Sequence, residues 1–454
     1  MASNSGGIRS TTGASGTLPR MALAWPSIVF GTAILLLGAI RLCEAHWYFA
    51  QSPGMDWNSS EWMIDYAAGF VRRGLDGAML ARLMRITGLG FFTLWASITT
   101  AVYLGVCWHL LRQVNRLGGS AIWRFLLLLN PALVAFAVEC APDGSFLRKD
   151  VLFVAATALL VCLGERTLHS AQPTARNMLP LLAAACALST ALALTHEGIF
   201  LFGWLPLNFA LLLAVLSRLR IHRLTSWLLA LSAFLPALVA TAASIHWHGD
   251  ARTAQIICQS WHGLSVPTVC KAGGQFPPAV DGLAWSFSYA LSLPLSVASR
   301  FPFFIVLVVF CGSIEIAAIH RLIPSARLDH LLALLALPLL ASIPLYLLGW
   351  DWGRFLFTVT GQQVWVLLSD TMRPAVFDVL PKGLRRLATR AAGTRLTERL
   401  DAFMHRTLYA PPILCLILLI LPVPPVPQRN PMLYSSPPVI VIQFARQLIA
   451  HYHV

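Results

Sequence analysis

MLPLLAAACALSTALALTHEGIFLFGWLPLNFALLLAVL, residues 178–216, sets the reading of the chain. Two apolar runs, 178–195 and 198–216, are separated only by His196 and Glu197. A helix needs about 20 mostly apolar residues to cross a bilayer, so each run is long enough to cross once. The pair must then turn around within THEG, residues 195–198. Hydrocarbon offers the backbone no hydrogen-bond partner, which leaves helices or closed barrels as spanning structures. The two-residue alternation of a membrane barrel is missing here, so these runs are helices.

Runs of the same kind recur near residues 24–43, 91–111, 121–139, 150–164, 226–246, 301–319, 330–349, 355–369 and 408–423. The expected fold is all-α, a polytopic transmembrane bundle of about 11 spans. Composition agrees, with 57% hydrophobic and 11% charged residues, more apolar surface than a soluble fold of this length can hide. Residues 1–20, rich in Ser, Gly and Thr, read as a disordered cytoplasmic leader. The first apolar run ends at Arg41 and offers only Cys43 and Ala45 as a poor cleavage site, so it reads as an uncleaved span rather than a signal peptide. The transmembrane domain covers 21–423, with outer loops at 44–90, 140–150 and 246–300 and a basic cytoplasmic segment at 370–407. A Pro-rich outer tail, 424–454, becomes apolar again from Val439 to Ala450 and predicts a surface helix.

The formal charge of +14 is spread over short connections rather than one patch, which excludes a nucleic-acid surface and fits the positive-inside pattern. With the N-terminus in the cytoplasm, the inside connections collect Arg112, Arg116, Arg124, Arg166, Arg176, Arg218, Arg220, Arg223, Arg321, Arg327 and the run Arg373 to Arg406. The opposite face receives most of the acids, among them Asp56, Glu61, Asp65, Asp76, Asp150, Glu197 and Asp351. Acids contribute little to topology, so their clustering calls for another explanation.

Nine cysteines show no CxxC or Cys/His spacing of a zinc site, so no metal is expected. Cys258 and Cys270 share one outer loop, where an oxidising compartment allows a disulfide; two free thiols are the alternative. No Walker A loop, GxSxG elbow, Rossmann glycines or HExxH helix is present, and no cofactor is expected.

Three outer elements carry candidate chemistry. In the first, HWYFAQSPGMDWNSSEWMIDYAAGFVRRGLDGAMLARLMRITGLG (46–90), Pro53 and Gly54 turn the chain before Asp56, and Glu61 to Ile86 reads as an amphipathic surface helix with Ile64, Ala68, Val71, Leu75, Met79 and Leu83 on its apolar face. Arg72, Arg73, Arg82 and Arg85 stand against the charge rule; they either snorkel to lipid phosphates or hold a substrate phosphate in a bidentate fork. In the second, PDGSFLRKD (142–150), Arg148 and Lys149 oppose the dipole of the helix that Asp150 opens, a conflict that a bound anion relieves. The third is a pair of tight turns, THEG and GWDWGR (349–354). His196 with Glu197, and Asp351 with Arg354, read either as ion pairs closing helical hairpins or as substrate contacts, with Trp350 and Trp352 placed to stack on a sugar ring.

FVRRGLDG, RKD and WDWGR resemble segments of bacterial envelope polysaccharide membrane proteins, and the wider pattern resembles GT-C-type glycosyltransferases and the related lipid-linked polysaccharide polymerases. The resemblance implies a multi-pass protein of the bacterial inner membrane. It implies transfer of a sugar from a polyprenyl phosphate donor to a glycan acceptor at the outer face, in envelope or exopolysaccharide synthesis. On that pattern Asp56 is the catalytic loop acid with Asp65 as substitute, and Arg72, Arg73, Arg148, Lys149 and Arg354 hold the phosphate. The chain lacks the two adjacent first-loop acids and the large C-terminal outer domain of many GT-C enzymes. An O-antigen-type polymerase on a diphosphate-linked donor and a lipid-linked sugar flippase are the alternatives. The partners implied are membrane lipid, the donor and the acceptor, and no nucleic acid.

Overall fold

The protein's structure, a computed structural model, describes residues 25–51, 57–130, 133, 147–170, 175–219, 221–264, 266, 276–285, 292, 299, 301–349, 351–393 and 437–452. The principal helices are α1 (Trp25–Gln51), α2 (Trp57–Glu61), α3 (Gly74–Thr87), α4 (Phe91–Arg116), α5 (Ala121–Leu128), α6 (Asp150–Leu168), α7 (Ala175–Thr195), α8 (Leu205–Arg218), α9 (Arg223–His246) and α10 (Ala251–Ser260). They continue with α11 (Phe301–Leu322), α12 (Leu328–Ala341), α13 (Ile343–Leu348), α14 (Trp352–Leu368), α15 (Met372–Val379), α16 (Lys382–Ala392) and α17 (Pro437–Tyr452). No strand occurs among the described residues.

Eight segments are long and apolar enough to cross a membrane: α1, α4, α6, α7, Ile199–Arg218, α9, α11 and Leu328–Leu348. Of the three other expected spans, 121–139 is represented by α5, 355–369 is the 17-residue α14, and 408–423 lies outside the described residues. Every residue of α14 is buried, as expected of an apolar helix at the centre of a bundle. It packs on α6 and α12. A Cβ at Gly361 would sit 3.0 Å from a methyl of Val154, so the glycine sets how closely α14 approaches α6. Asn208 donates to Thr157 (3.1 Å) and to Gln362 (3.3 Å), joining α8, α6 and α14 where hydrocarbon supplies no other partner.

Two of the spans are interrupted. After α7 the chain runs through a π-helical turn, Ile199–Trp204, in which the Leu205 N–H bonds to the Phe200 carbonyl. Pro206, which has no N–H to give, follows directly. Pro344 likewise offers no N–H at the break between α12 and α13. Outside the bundle, α17 lies along α1, with Phe444 stacked on Trp47 at 5.6 Å.

The first outer segment is not one helix from Glu61 to Ile86. It is α2, an irregular stretch, and then α3. Ring N–H donors pin the irregular stretch: Trp62 and Trp95 both donate to the Leu147 carbonyl (3.1 and 3.0 Å), and Trp261 donates to Met63 (2.7 Å). The buried face of α3 is Gly74, Asp76, Gly77, Leu80, Ala81 and Met84, whereas Met79 is 57% exposed. The helix is therefore rotated away from the face that hydrophobicity alone selects. At the other end of the bundle Arg218 meets Asp378 at 2.6 Å and Ser325 meets Asp370 at 2.9 Å.

Candidate functional site

Among the described residues, one end of the bundle gathers five carboxylates and five cations from five stretches of chain. α2 contributes Glu61, the turn into α3 contributes Arg72, Arg73 and Asp76, the start of α6 contributes Arg148, Lys149 and Asp150, the turn after α7 contributes Glu197, and the start of α14 contributes Asp351 and Arg354.

Pairing crosses between these stretches. Arg354 donates through Nε to the Asp150 carboxylate (2.7 Å) and through Nη1 to Asp351 (3.1 Å), and Thr358 adds a hydrogen bond to Asp150 (3.2 Å). Arg148 shares Asp351 at 3.2 Å. Arg73 forks onto Glu197, with Nε at 3.2 Å and Nη2 at 3.1 Å. Lys149, fully buried, faces Asp76 at 3.0 Å, and its ammonium lies 5.6 Å from the centre of the Trp62 ring. Thr195 donates to the second Asp76 oxygen at 3.2 Å. Arg72 gives its strongest bond to the Gly282 carbonyl (2.8 Å) and stands 3.9 Å from Glu197.

Glu61 lies between these pairs. It is wholly buried, and among the described residues no group donates a hydrogen bond to either of its oxygens. Around it stand Arg354 Nη2 at 3.7 Å, Arg73 Nη1 at 3.8 Å and His196 Nε2 at 4.0 Å. Burial pushes the Glu61 carboxyl up, but Arg354, Lys149, Arg73 and Arg148 together outweigh it and hold the group below the ordinary carboxylate range. His196 moves the other way: burial, then the fields of Arg73, Arg354, Lys149 and Arg72, push it well below 6.5, so the ring is neutral at pH 7. Glu197 and Asp351 are also held low, each by the arginines beside it acting against burial. Arg73 has φ of 63°, the only positive value at a non-glycine among the described residues, and the Lys149 ammonium approaches its carbonyl (3.4 Å).

All five expected phosphate holders, Arg72, Arg73, Arg148, Lys149 and Arg354, are thus at one place, each facing a carboxylate. The members nearest solvent are Arg72 (24% exposed) and Asp351 (19%). Asp65 stands apart from the cluster: it accepts from the Ala67 N–H (2.9 Å) and from Ser260 (2.9 Å), and burial raises its pKa. Trp352 is buried, its ring N–H given to Tyr346 and Gly349 carbonyls and its faces against Phe301 and Phe304. Asp56, Trp350 and Cys270 lie outside the described residues. Cys258 is disulfide-bonded. Sequence reasoning missed Glu61, Asp76 and Asp150 as site members. The available signal was that RRGLD, RKD and DWGR each hold both an acid and a base.

A family model matches residues 28–272, more than half of the chain, and the protein belongs to that family, described as uncharacterised membrane protein Rv1490. The match covers Glu61, Arg72, Arg73, Asp76, Arg148, Lys149, Asp150, His196 and Glu197, and ends before Asp351 and Arg354. No curated protein and no solved structure matches the chain.

Proposed function

We propose that this membrane protein transfers a sugar from a polyprenyl phosphate donor to a glycan acceptor at the outer face of the bacterial inner membrane, in envelope or exopolysaccharide synthesis. The observation that supports the reading is the Glu61 carboxylate, buried and ionised, with no hydrogen-bond donor of its own among the described residues. A buried carboxylate in that condition is incomplete, and an acceptor hydroxyl supplies the missing donor. In the reaction, the hydroxyl oxygen bonds to the anomeric carbon as its proton passes to Glu61. The bond from that carbon to the phosphate oxygen breaks, and the lipid phosphate leaves with the electron pair. Arg72, Arg73 and Arg148 are the partly exposed cations of the cluster, and Arg72 and Arg148, each with a single contact to a carboxylate, are the ones we assign to the phosphate. Glu61 takes the role that the resemblance gives to Asp56, because Glu61 is the acid the cations surround.

The test is complementation of a deletion strain, reading the lipid-linked oligosaccharides it accumulates. Glu61→Gln keeps the shape but not the basicity, and transfer should fall by about a hundredfold to ten-thousandfold, with an incomplete repeat unit accumulating as in the deletion. Asp65→Asn should complement. Asp56→Asn should also complement; if it fails while Glu61→Gln succeeds, the base is Asp56. Accumulation of a complete unit turns the reading to a polymerase. An unchanged lipid pool in the deletion strain overturns both.

A further inference from the structure

The opposite end of the bundle holds a cavity of about 620 Å³ lined by Arg327, Asp329, Phe377, Lys382, Arg385, Arg386, Thr389 and Arg390. Its charge is the reverse of the balanced cluster, with five cations facing one carboxylate. Asp329 is already committed: Arg327 forks onto it at 2.7 and 3.1 Å, and Thr389 adds a contact at 3.4 Å. No carboxylate among the described residues pairs with Lys382, Arg385, Arg386 or Arg390, and the Arg385 Nε is buried without a hydrogen-bond partner.

Lys382, Arg386 and Arg390 are exposed and Arg385 is half-buried, so it is their spacing that gathers them. Positions 382, 385, 386, 389 and 390 recur at three- and four-residue steps, so one face of α16 carries every charge and turns it into the cavity. The other faces of the helix hold Ala388, which is buried, and Leu387, which is 64% exposed. Like charges four residues apart, Lys382 with Arg386 and Arg386 with Arg390, destabilise an isolated helix by a few tenths of a kcal/mol per pair. The single carboxylate that α12 turns toward them, Asp329, is already held by Arg327, and a multivalent anion would offset the repulsion that remains. Guanidinium forks match phosphate oxygens, and the volume falls in the range of small-ligand sites.

We infer that this cavity is a binding site for a phosphate-bearing group carrying at least two negative charges. Such a group comes either from the headgroup of an anionic lipid, beside which an interfacial helix with an outward Leu387 would lie, or from a free phosphate in solution. The experiment uses the full chain purified in detergent. One arm measures retention of phosphatidylglycerol and cardiolipin against phosphatidylcholine by native mass spectrometry. The other arm titrates inorganic pyrophosphate and follows thermal stability. Retention of the anionic lipids alone assigns the site to a headgroup, stabilisation by pyrophosphate alone assigns it to a soluble ligand, and both together show recognition of the phosphate itself. In each case Arg385→Gln/Arg386→Gln/Arg390→Gln should weaken binding at least tenfold, and raised salt should weaken it further. Arg218→Gln, at the same end but outside the cavity, should bind as the unsubstituted chain does. Should the triple variant not fold, Arg386→Gln alone, at an exposed position, should weaken binding severalfold. Neither ligand binding, or equal binding by the folded triple variant, overturns the inference.

Discussion

Gly77 has no room for a side chain, because a Cβ there would stand 2.1 Å from the Ile64 carbonyl oxygen. That oxygen is backbone and cannot rotate aside, so Gly77→Ala should cost at least about 2 kcal/mol and lower the melting temperature in detergent. Gly105→Ala, where nothing lies within 4 Å, is the control and should leave it nearly unchanged. His196 makes a prediction of a different kind. Its folded pKa is depressed well below the 6.5 of the free side chain, so as pH falls through 6.5 the unfolded chain takes up a proton before the folded one. Its contribution to stability is complete above about pH 6.5 and declines below it, by at most about 1.4 kcal/mol per pH unit. Glu61, Glu197 and Asp351, also depressed, lose their contributions only in the lower window, below the ordinary carboxylate values near 4. Thermal melts from pH 7.5 to 5 should therefore flatten in His196→Gln. A slope unchanged by the substitution would place the sensitivity elsewhere.

The salt bridges of the charged end hold helices together. Lys149 on the entry to α6 meets Asp76 in the first turn of α3, a negative charge where the helix dipole favours one. Removing one partner of a buried pair costs about 3–5 kcal/mol, while removing both is far milder. Lys149→Met should thus be strongly destabilising and Lys149→Met/Asp76→Leu should recover most of the loss, a non-additivity that melts of the two single variants and the double variant will show. This coupling also explains what the sequence revealed and what it hid. The long spans were legible because a run such as 178–195 has no other way to satisfy its backbone in a bilayer. The rotation of α3 was not legible, since Ile64, Val71, Leu75 and Met79 fall at helical spacing while the polar contacts of Asp76 and the clearance at Gly77 decide which face turns inward. The cations were conspicuous, four arginines where few belong. Their partners were not, because Arg73 reaches Glu197 across 124 residues and Arg354 reaches Asp150 across 204. Glu61 looked like an ordinary loop acid, and only the convergence of Arg73, Arg354 and His196 distinguishes it.

At the scale of the molecule, charge among the described residues is sorted between two ends: one has five carboxylates matched by five cations, and the other leaves four cations of α16 without a carboxylate partner. Unpaired Lys and Arg resist transfer across a bilayer and collect on the cytoplasmic side, whereas a neutralised cluster has no such preference. The disulfide at Cys258 belongs with this argument, for α10 ends at the charged side, where Trp261 binds Met63. A structural disulfide persists in an oxidising compartment. Both lines predict the charged cluster outside and the α16 cavity in the cytoplasm, the arrangement that the proposed transfer requires, since its donor and acceptor meet at the outer face. The prediction is read on single cysteines introduced at two exposed positions, Arg252 in the first turn of α10 and Arg386 in α16. In intact spheroplasts a membrane-impermeant maleimide should label Arg252→Cys well above the unsubstituted chain, which has its own exposed Cys43. Arg386→Cys should react only after the membrane is opened. Labelling of Arg386→Cys in intact spheroplasts, with Arg252→Cys protected, would invert the molecule and place Glu61 on the side where no outer-face transfer can occur.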